Sequence, residues 1–386
     1  MKIKNLLTVM TGLALFCLAG CASPQKEAVA KEYAPIEVAV PERPAGQQDV
    51  IQLTAPKLDT VRVGFIGLGM RGPGAVARWT HIPGTKIVAL CDLRPKCVER
   101  AQGILEKAGL PKAAEYSGSE DAWKQLCERD DIDAVYIPLP TGLHKEWIIK
   151  ALEHGKHVYA EKSIAMNGID AEDMVTCAKL NRVALMEGYM FQYHKQHQVV
   201  KDLLKSNVIG EMRLIRASFG FPPFSDLANF RYDNKIGGGA LKDVAGYVLR
   251  AVNFLNDNRF GVMSSNVCYN EYGTSLFGTA LLKDGKLSAE ISFGFDNFYQ
   301  CNYEIWGSIG KISVLRAFTP KPEDKTIIVV ETQGNREEIH CPAYNHFVGA
   351  MEEFYRICND DNAREKHYVD ILFQSRGLDD IERLSK

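Results

Sequence analysis

One stretch near residue 60 constrains the fold more than any other part of this chain. Val61–Ile66 is a short apolar run with β-branched residues, typical of a buried parallel strand, and Gly67, Gly69 and Gly72 follow it. In a G-x-G-x-x-G turn, the first glycine permits the tight bend, the second lets the backbone approach a pyrophosphate, and the third allows close helix packing. The N-terminus of the following helix offers free N–H groups to phosphates. The stretch therefore predicts a nucleotide-binding strand–turn–helix unit.

The end of the next predicted strand indicates which nucleotide binds. The strand over residues 86–91 leads into Asp92, which lies 20 residues after Gly72, where a carboxylate binds the adenosine ribose hydroxyls. This favours NAD, although Arg94 could accept the 2′-phosphate of NADP. The residues expected to contact the cofactor are Gly67, Leu68, Gly69, Met70, Arg71, Gly72, Asp92, Arg94, Pro140, His144, Glu161 and Lys162.

The first half of the folded chain alternates strand and helix patterns. We predict strands at residues 61–66, 86–91, 133–138, 156–160 and 183–187, with helices at 95–108, 119–128, 143–154 and 168–180. Such alternation predicts an α/β fold with a doubly wound parallel sheet, a Rossmann domain over residues 58–188. The loops after these strands, including Pro140, Glu161 and Glu187, should gather at one edge of the sheet.

A second domain is predicted over residues 189–386, because the rhythm of the sequence changes there. Strand-like runs dominate from residue 211 to 340, one amphipathic helix is expected over 239–256, and two helices over 344–358 and 363–384 close the chain. This pattern predicts an α+β domain with a large, mostly antiparallel sheet. An open sheet face of this size favours a homo-oligomer, a dimer or a tetramer.

Composition excludes several classes of function. The formal net charge is −2, and no basic tract indicates a nucleic-acid partner. The cysteines beyond residue 21 form no C-x-x-C pair and are typical of small core residues. The nine histidines form no convincing ligand set, so no metal site is predicted.

The N-terminus has the features of an export signal. Lys2 and Lys4 precede an apolar run over 6–18, and the run ends in Leu-Ala-Gly-Cys21, which resembles the lipobox of bacterial lipoproteins. The resemblance implies a signal peptide over 1–21 and a lipidated Cys21; a plain signal peptide is the alternative. Residues 22–57, rich in Pro, Ala, Glu and Lys, are expected to be a tether. We therefore expect a periplasmic or cell-envelope protein whose only membrane contact is the lipid anchor. Because free nicotinamide cofactor is scarce outside the cytoplasm, its cofactor should be tightly bound.

Two features carry the expected chemistry. Lys162 lies just past a predicted strand, where its ammonium could polarise a carbonyl or stabilise an alkoxide. The motif Gly237-Gly-Gly-Ala-Leu-Lys-Asp243-Val-Ala-Gly-Tyr247 opens the long predicted helix. A phenol beside an ammonium should have a lowered pKa, which would suit Tyr247 to move a proton. A core position for Tyr247 is the alternative.

The segment that joins the two domains is a weaker candidate for the substrate side of the site. It contains Tyr189, Tyr193 and His194, and packing between the domains would explain these residues equally well.

These motifs resemble the Gfo/Idh/MocA oxidoreductase superfamily over most of residues 58–386. Glu161-Lys162-Ser163 matches its E-K-P motif, with serine in place of the proline, and the glycine motif through Tyr247 resembles the branch of glucose–fructose oxidoreductase and sugar ketoreductases. The resemblance implies that Lys162 and Tyr247 are the catalytic pair and that Asp243 positions a sugar. We therefore expect hydride transfer between nicotinamide and a sugar or sugar derivative.

Residues 47–132 carry a second resemblance, to glycoside hydrolase family 109, including Gly64-Phe-Ile-Gly-Leu-Gly-Met-Arg-Gly-Pro-Gly-Ala75. That family implies an α-N-acetylgalactosaminidase that uses NAD without net consumption. The likeness fades beyond residue 135, where the expected catalytic residues lie. A redox-neutral hydrolase is thus the alternative function. A non-catalytic sugar-binding lipoprotein is a third, disfavoured by the intact glycines and Asp92.

Overall fold

The structure is a computed structural model that describes residues 58–226 and 229–386. The expected signal peptide, Cys21 and the tether therefore lie outside the described residues. The described residues belong to one compact unit. Among the helices of this part of the chain, none is long and apolar enough to cross a membrane.

The first sheet has six parallel strands in the order β3-β2-β1-β4-β5-β6. Its strands are β1 (Val61–Ile66), β2 (Thr85–Asp92), β3 (Ala114–Ser117), β4 (Ala134–Ile137), β5 (His157–Ala160) and β6 (Leu185–Glu187). This is the strand order of a Rossmann fold, which confirms the predicted fold class. The prediction missed β3, because its four residues are half exposed and form no apolar run.

Helices cover both faces of this sheet and extend into the second domain. They are α1 (Gly72–Trp79), α2 (Pro95–Lys107), α3 (Ala122–Cys127), α4 (Thr141–Glu153), α5 (Gly168–Asn181), α6 (Lys195–Lys205), α7 (Gly246–Leu255), α8 (His346–Cys358) and α9 (Asp361–Leu384). The closing helix α9 ties the domains together. The Tyr368 hydroxyl donates to the Val183 carbonyl before β6 (2.6 Å), and Asp370 forms a buried ion pair with Arg250 of α7 (2.6 Å).

The second sheet has eight strands in the order β14-β13-β12-β11-β7-β10-β9-β8. They are β7 (Met212–Gly220), β8 (Gly261–Tyr269), β9 (Ser275–Asp284), β10 (Leu287–Gly294), β11 (Gln300–Gly307), β12 (Gly310–Val314), β13 (Thr326–Thr332) and β14 (Asn335–Cys341). Only the pair β7–β10 is parallel, so the prediction of a mostly antiparallel sheet is confirmed. The inner face packs on α7, whereas the outer face carries exposed Phe277, Leu281 and Trp306.

The structure differs from the helix predictions in two places. The continuous helix expected over 239–256 is a π-helical turn, Leu241–Ala245, followed by α7. The turn ends at Gly246, where a Cβ would lie 1.8 Å from the Tyr189 hydroxyl, so the backbone is packed directly against that side chain. The helix α6 was not predicted, because its residues are mostly polar; the His194 side chain caps it by accepting from Gln196 N.

Candidate active site

The turn between β1 and α1 forms a cradle in which two glycines are closely packed. Gly67 has φ +102°, and a Cβ there would lie 2.6 Å from Leu139 Cδ2. At Gly72 a Cβ would lie 3.1 Å from the Gly67 carbonyl oxygen, so the helix starts in close contact with the turn. Gly69 and Met70 lie where this turn is open to solvent: Gly69 is half-buried and Met70 is 68% exposed. These are the roles that the spacing predicted for the first and third glycines.

Asp92, at the end of β2, is held against this cradle. One carboxylate oxygen accepts the Leu68 N–H (2.7 Å), and the other accepts the N–H and Nε–H of Arg94 (2.9 and 3.3 Å). A cavity of about 600 Å³ opens beside both residues, with the apolar side chains of Trp123, Leu139 and Leu143 in its wall. An acidic group, a largely exposed guanidinium and an apolar wall beside a glycine turn fit the adenosine half of a nicotinamide dinucleotide.

The predicted catalytic lysine, Lys162, lies just past β5. A small cavity of about 50 Å³ there is lined by Arg71, Thr141, Glu161, Lys162, Ser163, Phe230, Arg231, Gly237, Gly238, Lys242 and Asp243. Lys162 Nζ donates to the Asp243 carbonyl oxygen (2.9 Å) and also pairs with the Asp243 carboxylate. The Lys162–Ser163 peptide bond is cis. The structure thus brings Lys162 and Asp243 together with Arg71 and Glu161.

Asp243 is held as a carboxylate by two cations. Burial alone would raise its pKa, but Lys162 and Arg231 outweigh that effect and hold the pKa well below the usual range. Arg231 Nε donates to the second carboxylate oxygen at 2.8 Å. Both oxygens are therefore engaged within the protein, and Asp243 orients Lys162 instead of presenting a free carboxylate to a sugar.

The expected lowering of the Tyr247 pKa is wrong. The phenol is 5% exposed, and burial raises its pKa well above the usual range; Arg71 offsets only part of this. Lys162 Nζ lies 5.2 Å from the centre of the Tyr247 ring, over its face and not at its oxygen. The hydroxyl faces Met190 Sδ at 3.7 Å. Tyr247 is therefore a neutral phenol; releasing its proton would leave a buried phenolate, whose charge Arg71 partly offsets.

Close backbone approach joins the cofactor domain to the glycine motif. A Cβ at Gly142 would lie 2.8 Å from Ile236 Cα, and one at Gly237, with φ +86°, would lie 2.6 Å from Thr141 Cβ. Pro140 precedes α4 and accepts the Leu143 N–H (2.9 Å), which places the start of this helix at the interface.

Four other predicted residues do not line the cavity at Lys162. His144 is fully buried, and its ring bonds the carbonyls of Leu139 (2.8 Å) and Ser163 (3.0 Å); it fixes the loop after β5 and is not a cofactor contact. Tyr189 is fully buried, with its hydroxyl 3.2 Å from Ser163 Oγ. His194 caps α6, and Tyr193 lines a separate cavity with it. The substrate role expected for Tyr189 is corrected to packing, because its side chain is fully buried. Tyr193 and His194 line a cavity that shares no residue with the one at Lys162, and their substrate role stays a prediction.

The sequence reasoning missed Arg231, Phe230 and Thr141. Arg231 and Phe230 lie in a short 3₁₀ turn, Phe230–Tyr232, just before the glycine motif. The signal in the sequence that could have identified Arg231 was a cationic residue close to the glycine motif.

Among the described residues, no group of three His, Cys, Asp or Glu side chains could hold a metal. The eight cysteines in this part of the chain are unpaired thiols.

The Rossmann sheet, the glycine cradle and the lysine at the end of β5 define a dinucleotide-binding protein with a second α+β domain. Residues 61–189 match the family profile described as an oxidoreductase family with an NAD-binding Rossmann fold, and residues 197–313 match the GFO/IDH/MocA C-terminal domain. The chain belongs to the GFO/IDH/MocA oxidoreductase family. The resemblance stated from the motifs and the prediction of a nicotinamide dinucleotide cofactor are confirmed.

Relatives of two kinds match the sequence. A glycosyl hydrolase family 109 protein of Phocaeicola vulgatus is 55% identical over 218 residues, which are 56% of this chain and 46% of that protein. The chain thus spans about half the length of the curated family 109 relatives it matches. A dTDP-3,4-didehydro-2,6-dideoxy-α-D-glucose 3-reductase of Saccharopolyspora spinosa is 42% identical over 299 residues, which are 77% of this chain and 87% of the reductase.

Among solved structures, a 3-ketoreductase from Actinomadura kijaniata in complex with NADP and TDP-benzene is similar to this chain. It has a TM-score of 0.77 and 32% identity, over 84% of this chain and 98% of that one. An aldose–aldose oxidoreductase from Caulobacter crescentus, at 20% identity and a TM-score of 0.75 over 84% of this chain and 97% of that one, shares the fold.

Proposed function

We propose that this protein is an NAD(P)-dependent oxidoreductase that transfers hydride between nicotinamide and a sugar or sugar derivative. The observation that carries the proposal is the buried Lys162–Asp243 pair, at the carboxyl end of β5 beside the glycine cradle. The 42% identity to a dTDP-sugar 3-reductase, over 77% of this chain and 87% of that reductase, supports it.

The chain's own residues would bind, orient and protonate the substrate. The dinucleotide, when bound, supplies or accepts the hydride. Lys162, oriented by Asp243, would donate a hydrogen bond to the reacting oxygen and stabilise negative charge that develops there. Tyr247, as a neutral phenol, would donate the proton when a carbonyl is reduced, and the nearby Arg71 charge would stabilise the phenolate that this leaves. Arg71 and Arg231 add positive charge around the same small cavity.

The experiment is turnover of a panel of sugars by the full-length chain with NAD or NADP, followed at the absorbance band of the reduced nicotinamide. Lys162→Ala should lower kcat by about 10²–10³-fold, the effect of removing one stabilising donor, and leave cofactor affinity unchanged. Retention of full activity by Lys162→Ala would contradict the assignment, and failure of the wild-type chain to bind either cofactor would favour a non-catalytic sugar-binding lipoprotein.

A second candidate is a redox-neutral glycoside hydrolase, which the 55% identity to a family 109 protein favours. Such an enzyme would oxidise a ring hydroxyl, eliminate the aglycone and restore the hydroxyl. Sustained release of nitrophenol from a nitrophenyl α-N-acetylgalactosaminide, with stoichiometric NAD and no net reduction, would establish this alternative. Absence of release would leave the oxidoreductase as the proposal.

We also propose that the protein is an exported lipoprotein anchored through Cys21. The support is the Leu-Ala-Gly-Cys sequence after a short apolar run. Cys21→Ser should move the protein from the membrane fraction to the soluble fraction of the cell envelope; unchanged membrane association would contradict the anchor.

We further propose a homo-oligomer that forms through the outer face of the eight-stranded sheet. Such an interface would bury Phe277 and Leu281, and light scattering of the solubilised protein tests the oligomeric state.

A further inference from the structure

A second cavity, of about 710 Å³, adjoins the small cavity at Lys162. The two share the segment over residues 229–236 as a wall. Phe230 and Arg231 line the cavity at Lys162, whereas Asn229 and Tyr232 line the larger one. The opposite wall of the larger cavity is the turn between β8 and β9, which contains Tyr272.

Hydrogen bonds hold these two walls in a fixed arrangement. The Thr274 hydroxyl donates to the Tyr232 carbonyl (2.7 Å), and Asn234 Nδ2 donates to the Tyr272 carbonyl (3.3 Å). Asn270 Oδ1 accepts the N–H groups of Tyr272 and Thr274 (3.0 and 2.9 Å). Because the groups are already ordered, a ligand would bind here at little entropic cost.

The lining combines aromatic surfaces with amides and carboxylates. Tyr272 is 76% exposed, and the Tyr232 ring packs edge-on against the buried Phe295, with centroids 5.5 Å apart. Asn229 and Asn270 add amide groups that can both donate and accept hydrogen bonds. A sugar ring has an apolar C–H face and a hydroxyl-bearing edge, so this mixture suits a carbohydrate.

The charges of the lining disfavour a phosphate-bearing ligand. Asp233 and Asp296 line the cavity together with Lys235, the one basic side chain there among the described residues. A diphosphate would meet more negative than positive charge. The cavity therefore fits a neutral saccharide better than the nucleotide portion of a nucleotide sugar.

The wall of this cavity is also bonded to the reactive pair. The Arg231 carbonyl accepts the Gly239 N–H (2.7 Å), the Asp233 carbonyl accepts the Gly238 N–H (2.8 Å), and the Arg231 guanidinium bonds Asp243. A ligand held against Tyr232 therefore lies one short segment away from the group that orients Lys162.

We propose that this cavity is a second carbohydrate subsite and that the substrate is an oligosaccharide or a glycoconjugate. The reacting sugar would lie at Lys162, and the next sugar would lie between Tyr232 and Tyr272. The placement of the reacting sugar rests on the function proposed above, whereas binding in the second cavity can be measured without any turnover.

The first experiment measures binding of the full-length chain to an array of mono- and oligosaccharides, without added cofactor. The wild-type protein should bind oligosaccharides, and Tyr272→Ala should weaken that binding about tenfold or more, which corresponds to about 1.4 kcal/mol. Leu180→Ala, which alters an equally exposed apolar residue of α5 (79%), should bind as the wild type does. Unchanged melting temperatures would show that both variants fold.

Absence of oligosaccharide binding, or binding that Tyr272→Ala leaves unchanged, would overturn the subsite. Binding of thymidine diphosphate that Tyr272→Ala abolishes would replace it with a nucleotide site.

The second experiment uses the bound glycans as substrates with NAD or NADP. Tyr272→Ala should raise KM for an oligosaccharide about tenfold and leave kcat/KM for the monosaccharide unchanged. Glycan binding at Tyr272 without redox turnover would refute the proposed function but keep the subsite. Turnover of oligosaccharides with no effect of Tyr272→Ala would refute the subsite but keep the function.

Discussion

Lys162 and Asp243 are 81 residues apart in the chain, yet the Lys162 ammonium bonds both the carboxylate and the backbone carbonyl of Asp243. Arg231 engages the other carboxylate oxygen at 2.8 Å, so one buried anion lies between two cations. The pair joins the cofactor domain to the π-helical turn before α7, at the point where a substrate would react. Its geometry makes Asp243 a positioning residue for Lys162.

Replacing Asp243 by Asn should therefore impair catalysis by releasing Lys162. The change leaves two cations without their shared anion, so we expect kcat to fall by about 10²-fold and the free energy of unfolding to fall by about 3–5 kcal/mol. Steady-state kinetics, with the pH profile of kcat/KM, measures the effect; a purely structural role would leave the profile in place. Asp379→Asn is the control, because that carboxylate pairs with Lys242 at 3.7 Å and is 39% exposed. An unchanged kcat in Asp243→Asn would contradict the positioning role.

Arg94 should decide how well the protein binds NADP. Its side chain is 65% exposed beside Asp92, at the cavity that fits the adenosine half of the cofactor. Arg94→Ala should weaken NADP binding about tenfold or more, since a charge-assisted bond to a phosphate is lost, and leave NAD binding nearly unchanged. Calorimetric titration with both cofactors measures this. Arg100→Ala offers a contrast. Arg100 donates hydrogen bonds to the Leu68 and Gly69 carbonyls (2.8 and 3.0 Å), so its loss should lower the affinity for NAD and for NADP by the same factor. An equal loss of affinity for NAD and NADP in Arg94→Ala would show that Arg94 does not bind the 2′-phosphate.

Gly237→Ala should destabilise the contact between the glycine motif and α4. The backbone has φ +86° there, and the new Cβ would lie 2.6 Å from Thr141 Cβ. We expect a loss of about 1–3 kcal/mol in the free energy of unfolding, with lower activity because Lys162 and Asp243 lie beside this contact. Gly103→Ala in α2 is the matched control: nothing lies within 4 Å of its Cβ, and alanine should stabilise the helix by about 0.5–1 kcal/mol. Denaturant unfolding compares the two variants, and equal stability would contradict the close approach.

Glu187 should make stability fall as pH rises. Burial raises its pKa from 4.5 to about 7, despite the Ile164 N–H that its Oε1 accepts at 2.8 Å. The folded state then holds a proton that the unfolded state releases between pH 4.5 and 7, so Glu187 costs about 3 kcal/mol above pH 7. Glu187→Gln should remove this contribution, so that the variant gains stability relative to the wild type as pH rises through that range. Unfolding free energies at pH 5 and pH 8 test it; a constant difference between the two proteins would show that Glu187 does not titrate there.

Much of the fold and half of the site were predictable from the sequence, because they depend on neighbouring residues. The glycines at 67, 69 and 72 specify a turn that larger residues would obstruct, and the apolar run before them forms β1. Asp92 and Lys162 could be placed because each follows a strand of a parallel sheet, and the carboxyl ends of such strands share one edge. Strand β3 was missed because it has only four residues and no apolar run, and helix α6 because most of its residues are polar.

Only the tertiary structure decided how the site's charges are arranged. It placed Arg231 on Asp243, buried Tyr247 so that its pKa rises, and packed His144 and Tyr189 in the interior. These outcomes depend on desolvation and on distances between residues far apart in sequence, and residue spacing encodes neither. The sequence by itself determined the glycine cradle and the position of Lys162 just past a strand of the parallel sheet, because local backbone rules suffice for both. The protonation states and hydrogen-bond partners of the residues around Lys162 depend on burial. That burial exists only once both domains have packed.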